Sequence, residues 1–249
     1  MQQYLDDLER VFRWFKKNKD PNGINELCEM RGYFSDEMKN FLRDYGVVKL
    51  REGVDVGVLK NLKSDLGLFS EKGNFLLEDR FIIPLKDLEG NILTFIGWYP
   101  DERKYVTVKT PFFSKNLLLF GLDNFNDERI VVVEGIFDCL SLRAWGIPAV
   151  AVMGSDCSVG QRGWLSLCKE VLAIPDNDYV GRLVVKRDKW GIKDLGGLYV
   201  VWWGLEAPKS DGEKIEVKDI DTLCMLFDPK DALGDIEYGG IKSVVNLNE

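Results

Sequence analysis

Leu5, Leu8, Phe12 and Phe15 recur at helical spacing with charged residues opposite, which predicts an amphipathic helix at the start of a largely helical segment of roughly 75 residues. Ser35-Asp-Glu-Met opens a second short helix, because a serine can cap and the acids suit the positive end. Val54 to Leu66 reads as a third, closed by Gly67. From Asp79 the pattern changes. Arg80-Phe-Ile-Ile-Pro-Leu and Ile92-Leu-Thr-Phe-Ile-Gly-Trp are apolar runs around the turn Asp87-Leu-Glu-Gly-Asn, and predict a β-hairpin.

Beyond Glu128 short apolar runs alternate with helical spacing. Ile130-Val-Val-Val is a buried strand, Asp138 to Trp145 a helix, and Pro148-Ala-Val-Ala-Val a second strand. Ser158-Val-Gly-Gln161 fits a capping box that opens a helix running to Cys168, followed by the strand Glu170 to Ile174. Leu198-Tyr-Val-Val-Trp-Trp supplies a further strand and Ile220 to Phe227 a further helix. This rhythm predicts an α/β fold, a Rossmann-like parallel sheet preceded by a helical and β-hairpin subdomain. The changes of texture divide the chain into 1–123, 124–237 and a tail, 238–249.

Composition narrows the chemistry. The chain has no histidine, which excludes Ser-His-Asp and Cys-His nucleophilic catalysis and histidine-bearing zinc sites. Its five cysteines form no C-x-x-C pair, which argues against a disulfide framework or a zinc ribbon. Catalysis must then run on carboxylates, lysines, hydroxyls and hard metals. No segment approaches the ~20 apolar residues that span a bilayer, and the start of the chain has no signal-peptide pattern, so a cytoplasmic protein with no membrane partner is expected. The net charge of −8 is unevenly spread. Residues 1–120 carry 19 basic and 19 acidic side chains, and residues 121–249 carry 14 and 22, so the excess lies in the second part. Arg103, Lys104, Lys109 and Lys115 form a basic stretch with no acid among them.

Ligands of open parallel sheets gather at the carboxyl ends of the strands. Glu134 follows the first strand of this region, and Asp176 and Asp178 follow Leu172-Ala-Ile-Pro. In extended chain, residues i and i+2 project to one side, so the two aspartates can face one cation while Asn177 points away. Oxygen-only ligands suit Mg²⁺ or Mn²⁺. Singly, each motif reads equally as a solvated turn or an N-cap; together, at strand ends of one sheet, they favour a metal site.

Val133-Glu-Gly-Ile-Phe-Asp138 and Pro175-Asp-Asn-Asp-Tyr-Val-Gly-Arg182 resemble the TOPRIM domain shared by bacterial-type primases, topoisomerases and some nucleases. Arg80-Phe-Ile-Ile-Pro-Leu-Lys-Asp-Leu-Glu-Gly90, the stretch Lys104 to Lys115 and the following Leu119-Phe-Gly narrow the resemblance to the catalytic core of DnaG-like primases. Lys218-Asp-Ile-Asp-Thr-Leu resembles that family's last acidic element. The resemblance implies a nucleotidyltransferase that makes short RNA primers on single-stranded DNA from NTPs, using two Mg²⁺ or Mn²⁺ ions. It implies Glu134, Asp176 and Asp178 as catalytic metal ligands, joined by Asp219 and Asp221. Asp138, one helical turn past Glu134, is either a further acid of the centre or part of a solvated helix face. Arg80, Lys104, Lys109, Lys115 and Arg182 are the candidate contacts to nucleotide or DNA phosphates, with ordinary solvated or paired side chains as the competing reading.

The departures bear on function. The basic stretch is one residue shorter than the family pattern, and Gly97-Trp98-Tyr99 stands where the family has Gly-Gly-Arg. No zinc module or helicase motif is present, so a replicative helicase or a zinc-module protein is expected in trans, as in a phage or mobile element. Two other functions compete: a TOPRIM metal-dependent nuclease, and a catalytically reduced accessory protein that binds single-stranded DNA.

Overall fold

A computed structural model describes residues 2–33, 35–62, 66–102, 104–111, 113–199, 206–208, 214–216 and 219. The chain divides into two compact units, Met1–Ser114 and Lys115–Glu249.

In the first unit, helix α1 (Gln2–Lys17) buries Leu8, Phe12 and Phe15 as the spacing predicts, with Val11 beside them, while Leu5 is only partly buried. The Phe15 ring meets Phe95 edge to face at 5.0 Å, which anchors the helix on the sheet. Two further helices follow, α2 (Gly23–Arg31) and α3 (Asp36–Tyr45). Ser35 caps α3 by accepting a bond from the Met38 amide at 3.1 Å. The helix expected from Val54 to Leu66 does not form as such: the described residues contain a single 3-10 turn, Val56–Asn61. Gly57 and the β-branched Val54, Val56 and Val58 weaken an α-helix here, and Asp55 ties its carboxylate to the Gly57 amide at 2.9 Å in a turn.

The sheet of this unit is antiparallel, in the order β1 (Val48–Lys49), β2 (Phe81–Lys86), β3 (Ile92–Tyr99), β4 (Lys104–Thr107). Strands β2 and β3 make the expected hairpin, with Ile82 opposite Gly97 and a register shift at Leu85/Lys86. Strand β4 lies in the basic stretch, where the charged sequence hides it. Its Tyr105 pairs with Trp98, and its Lys104 with Tyr99.

The second unit holds a parallel sheet in the order β6 (Ala149–Ala151), β5 (Arg129–Val133), β7 (Glu170–Ile174), β8 (Leu198–Tyr199). Helices α4 (Ile136–Ala144), α5 (Val159–Leu165) and α6 (Tyr179–Arg187) alternate with the strands. The capping box of α5 forms in full, Ser158 and Gln161 each bonding the other's backbone amide. That helix stops at Leu165, short of Cys168. Ile130, Val132, Val150, Val152, Ala173 and Trp190 lie in one buried cluster. The core reaches back to Leu119 and Leu122, and Phe120 bridges to Ala151, so the compact unit begins at Lys115, ahead of the texture change at 123/124.

A short antiparallel pair, β9 (Glu206–Pro208) with β10 (Lys214–Glu216), follows. The rest of the strand expected at 198–203, the helix expected at Ile220 to Phe227, Asp221 and the tail 238–249 lie outside the described residues. Cys28, Cys139, Cys157 and Cys168 are free, and burial raises each thiol, Cys157 and Cys168 to about 11, which leaves them protonated and unreactive. Among the described residues no helix is long and apolar enough to cross a membrane.

Candidate active site

Three parallel strands in register bring the acids together. Val133 pairs with Ala151 on one side and with Ile174 on the other, so the chain leaves β5, β6 and β7 at one level. Glu134 is the first residue beyond β5, and Asp176 is the second beyond β7. Both are partly buried, and among the described residues Oε2 of Glu134 is fully buried with no hydrogen-bond partner. A buried carboxylate oxygen without a donor costs on the order of 1–3 kcal/mol, more when charged, unless something else approaches it.

Two close approaches shape this end of the sheet. Gly135 leads into α4, and a Cβ there would stand 2.3 Å from Oδ2 of Asp138. The absence of a side chain lets Asp138 fold back over the start of its own helix. Asp138 is 7% exposed, so it is not part of a solvated helix face. Gly181 lies against the backbone of Asp176, where a Cβ would meet the Asp176 carbonyl oxygen at 1.8 Å. No other residue type fits that position without moving the turn that presents Asp176.

Asp178 has two roles. It is the N-cap of α6, its Oδ1 accepting from the Gly181 amide at 2.8 Å, and its charge also acts on Glu134 and Asp176. The cap is legible in Asp-x-x-Gly ahead of an apolar helix, the reading that competes with a metal ligand in the sequence. Asn177 is buried, between a half-buried Asp176 and an exposed Asp178.

The electrostatics follow from this crowding. Burial, then Asp178, Asp138 and Asp156, push the Glu134 carboxyl up to about 7, and Lys189 opposes them. Burial, then Asp138, Glu134, Asp219 and Asp178, push Asp176 up to about 9. Asp219, described as a single half-buried residue, thus comes within electrostatic reach of Asp176. Among the described residues no three acids or thiols stand close enough together to hold a metal ion as they are placed. The donor set nevertheless fits a hard divalent cation: all oxygen, several like charges, and a buried Glu134 oxygen with no donor of its own.

The basic candidates divide between the units. In the first, Arg80 donates to the Leu76 carbonyl at 3.1 Å and lies over the Tyr99 ring at 5.2 Å, Lys104 is exposed and pairs with Glu102 at 2.7 Å, and Lys109 is exposed. Trp98 is 3% exposed and belongs to the core, while Tyr105 beside it is 46% exposed and presents a ring of the kind on which bases stack. In the second, Arg182 is exposed on α6 and Lys115 is exposed with its ammonium beside Gly154. Sequence reading missed Asp156 and Lys189. Asp156 follows β6 and was open to the same strand-end logic; Lys189, past the end of α6, carries no local signal.

Comparisons with known proteins bear on the fold that carries these residues. The Toprim-like family matches residues 131–223. The DNA primase of Thermotoga maritima is 29% identical over 199 residues, covering 72% of this chain and 34% of the relative. That of Synechococcus elongatus is 37% identical over 129 residues, covering 47% and 19%. The chain therefore spans about a third or less of these curated relatives. Among solved structures, the zinc-binding and RNA polymerase domains of the Aquifex aeolicus primase superpose with a TM-score of 0.72 at 24% identity, over 95% of this chain and 60% of that one. Residues 131–223 thus match the Toprim-like family, within a chain whose described residues have the fold of the primase catalytic cores.

Proposed function

We propose that this chain is a primase-type nucleotidyltransferase that builds short RNA primers from NTPs on single-stranded DNA. The observation that carries the reading is the crowding of Glu134 and Asp176 with Asp138, Asp178 and Asp219, an assembly of like charges that is costly without cations. The primase relatives and the fold support it over a nuclease, which would use the same acids to direct water at a phosphodiester.

In this reading Glu134, Asp176 and Asp178 hold two Mg²⁺ or Mn²⁺ ions, with Asp219 and Asp221 completing the set. When bound, such ions supply the charge that activates a 3′-hydroxyl and stabilises the leaving pyrophosphate in an in-line displacement. Asp138 orients the start of α4 and adds its charge to the centre. Arg80, Lys104, Lys109, Lys115 and Arg182 contact the phosphates of nucleotide and template, and their contribution is screened by salt. Residues 1–123 and 124–237 are the working divisions, with 238–249 a tail, and a replicative helicase is a partner that such an activity would serve.

The test is incubation of the purified protein with single-stranded DNA, labelled NTPs and Mg²⁺ or Mn²⁺. Short RNA products that disappear in Asp176→Ala are expected. DNA fragments without RNA products would replace priming with nuclease activity. Strand binding with neither product would leave an accessory protein.

A further inference from the structure

The loop after β6 is bonded to the acidic centre and carries two lysines on its flanks. The Val152 amide bonds the Val133 carbonyl, and the Met153 amide bonds that of Glu134, both at 3.0 Å. Met153 holds φ at +59°, a left-handed conformation that costs a side-chain-bearing residue about 1 kcal/mol and persists where its surroundings enforce it. At the next residue, a Cβ on Gly154 would stand 3.2 Å from Nζ of Lys115, so the lysine head rests against bare backbone. No acid among the described residues forms an ion pair with Lys115. Two residues on, Asp156 pairs with Nζ of Lys189 at 3.4 Å.

The two partners of that pair differ in how they are held. Asp156 has a side chain 70% exposed on the loop, whereas that of Lys189 is 25% exposed. Lys189 also stands on a rigid base. Its amide bonds the Val184 carbonyl at 3.0 Å, and the neighbouring Trp190 is fully buried and donates Nε1 to the Ser155 carbonyl at 3.2 Å. On the other side, Asp188 accepts from the Ile192 amide at 2.9 Å and from the Tyr199 hydroxyl at 2.8 Å. An exposed ion pair contributes at most about 1 kcal/mol to folding, so the pair alone does not account for so well-fixed a cation. The charge of Lys189 also reaches Glu134, where it opposes the surrounding acids.

We infer that Lys189, together with Lys115, binds the triphosphate of the incoming nucleotide on the loop Met153–Ser158, and that Asp156 is an internal counter-anion which the phosphate displaces. This rests on the nucleotidyltransferase reading. A triphosphate beside ion-binding acids needs cations for its outer oxygens, and two lysines flanking a glycine-bearing loop next to Glu134 supply them. Asp156 then competes with the ligand for Lys189 and lowers the apparent affinity.

The experiment measures equilibrium binding of fluorescent N-methylanthraniloyl-ATP in Mg²⁺, its displacement by inorganic pyrophosphate, and the steady-state constants of primer synthesis. Lys189→Met keeps the apolar stem, and is expected to weaken nucleotide binding about tenfold, the loss of one charge-assisted contact, with the kinetic loss falling on KM rather than kcat. Lys189→Arg restores most of the affinity. Asp156→Asn tightens binding several-fold, and that gain vanishes when Lys189→Met is also present. Unchanged nucleotide affinity in both single variants, or weakening in both, would overturn the inference. So would a Lys189→Met protein that loses affinity for a labelled single-stranded oligonucleotide while keeping it for the nucleotide. A wild-type protein that binds nucleotide through Lys189 but makes no primers would instead sink the priming reading and leave this site standing.

Discussion

In the antiparallel unit, partly buried charges are met where they lie. Lys49 bonds both oxygens of Glu26 at 2.5 and 2.7 Å, Lys86 donates to the Tyr45 carbonyl at 2.9 Å, and the buried Asp7 accepts from Gln3 and Arg10. The parallel unit does the same away from its strand ends: Arg143 grips Asp123 through two bonds of 2.8 and 2.9 Å. Beyond β5 and β7 the pattern reverses. Acids face acids, and among the described residues a buried glutamate oxygen has no donor. Like charges brought together on a partly buried face cost folding stability, and a bound cation of the kind proposed above would offset that cost.

The contrast is broken most directly at Asp176. Asp176→Asn removes a charge from the centre, so primer synthesis should fall by at least the ~10²–10³ that loss of one preorganised charge-stabilising group costs, while the metal-free protein becomes more resistant to urea at pH 8. Retention of half the wild-type rate would take Asp176 out of the site.

Next in size is Gly181→Ala. The added carbon would overlap the Asp176 carbonyl, and a destabilisation of about 3 kcal/mol is expected in urea unfolding, with loss of activity. A wild-type midpoint would show that the turn gives way easily.

A third effect is the dependence of stability on pH. Glu134 and Asp176 titrate near 7 and 9 when folded and near 4 when unfolded, so between those values the folded state holds protons that the unfolded chain has released. Stability of the metal-free protein should therefore be greatest near pH 4 on this account and fall as pH rises to about 9. Added Mg²⁺ should raise the melting temperature more at pH 8 than at pH 5.5, and an equal shift at both would contradict ligation by these groups.

The smallest effect belongs to the first unit. Lys104→Ala breaks an exposed pair with Glu102 and should leave the urea midpoint unchanged. If Lys104 contacts a template phosphate, the slope of single-strand affinity against salt should fall by about 1, and an unaltered slope would make the lysine an ordinary surface residue.

Much of this molecule was legible along the chain because it is built from local signals. The spacing of Leu8, Phe12 and Phe15, the caps at Ser35 and Ser158, the Asp87–Asn91 turn and the valine run of β5 each express a preference that acts within a few residues, and each reappears in the fold. The strand-end rule located Glu134 and Asp176 for the same reason: a parallel strand ends where its apolar run ends, and the next acid has to project there. Strand β4 escaped because it forms on a partner, with Trp98 and Tyr99 supplying the ladder that its own polar sequence does not advertise.

What the sequence by itself determined is therefore most of the order of elements, and the identity of the acids at the strand ends. Only the tertiary structure decided how those acids feel one another. Burial and register turned Glu134 and Asp176 into groups that resist ionisation, an approach distance made Gly181 irreplaceable, and a lysine thirteen residues beyond Asp176 came to face Glu134. The physical reason is range: capping, turns and periodicity act between near neighbours in sequence, whereas desolvation and Coulomb forces act between neighbours in space, whatever their separation along the chain.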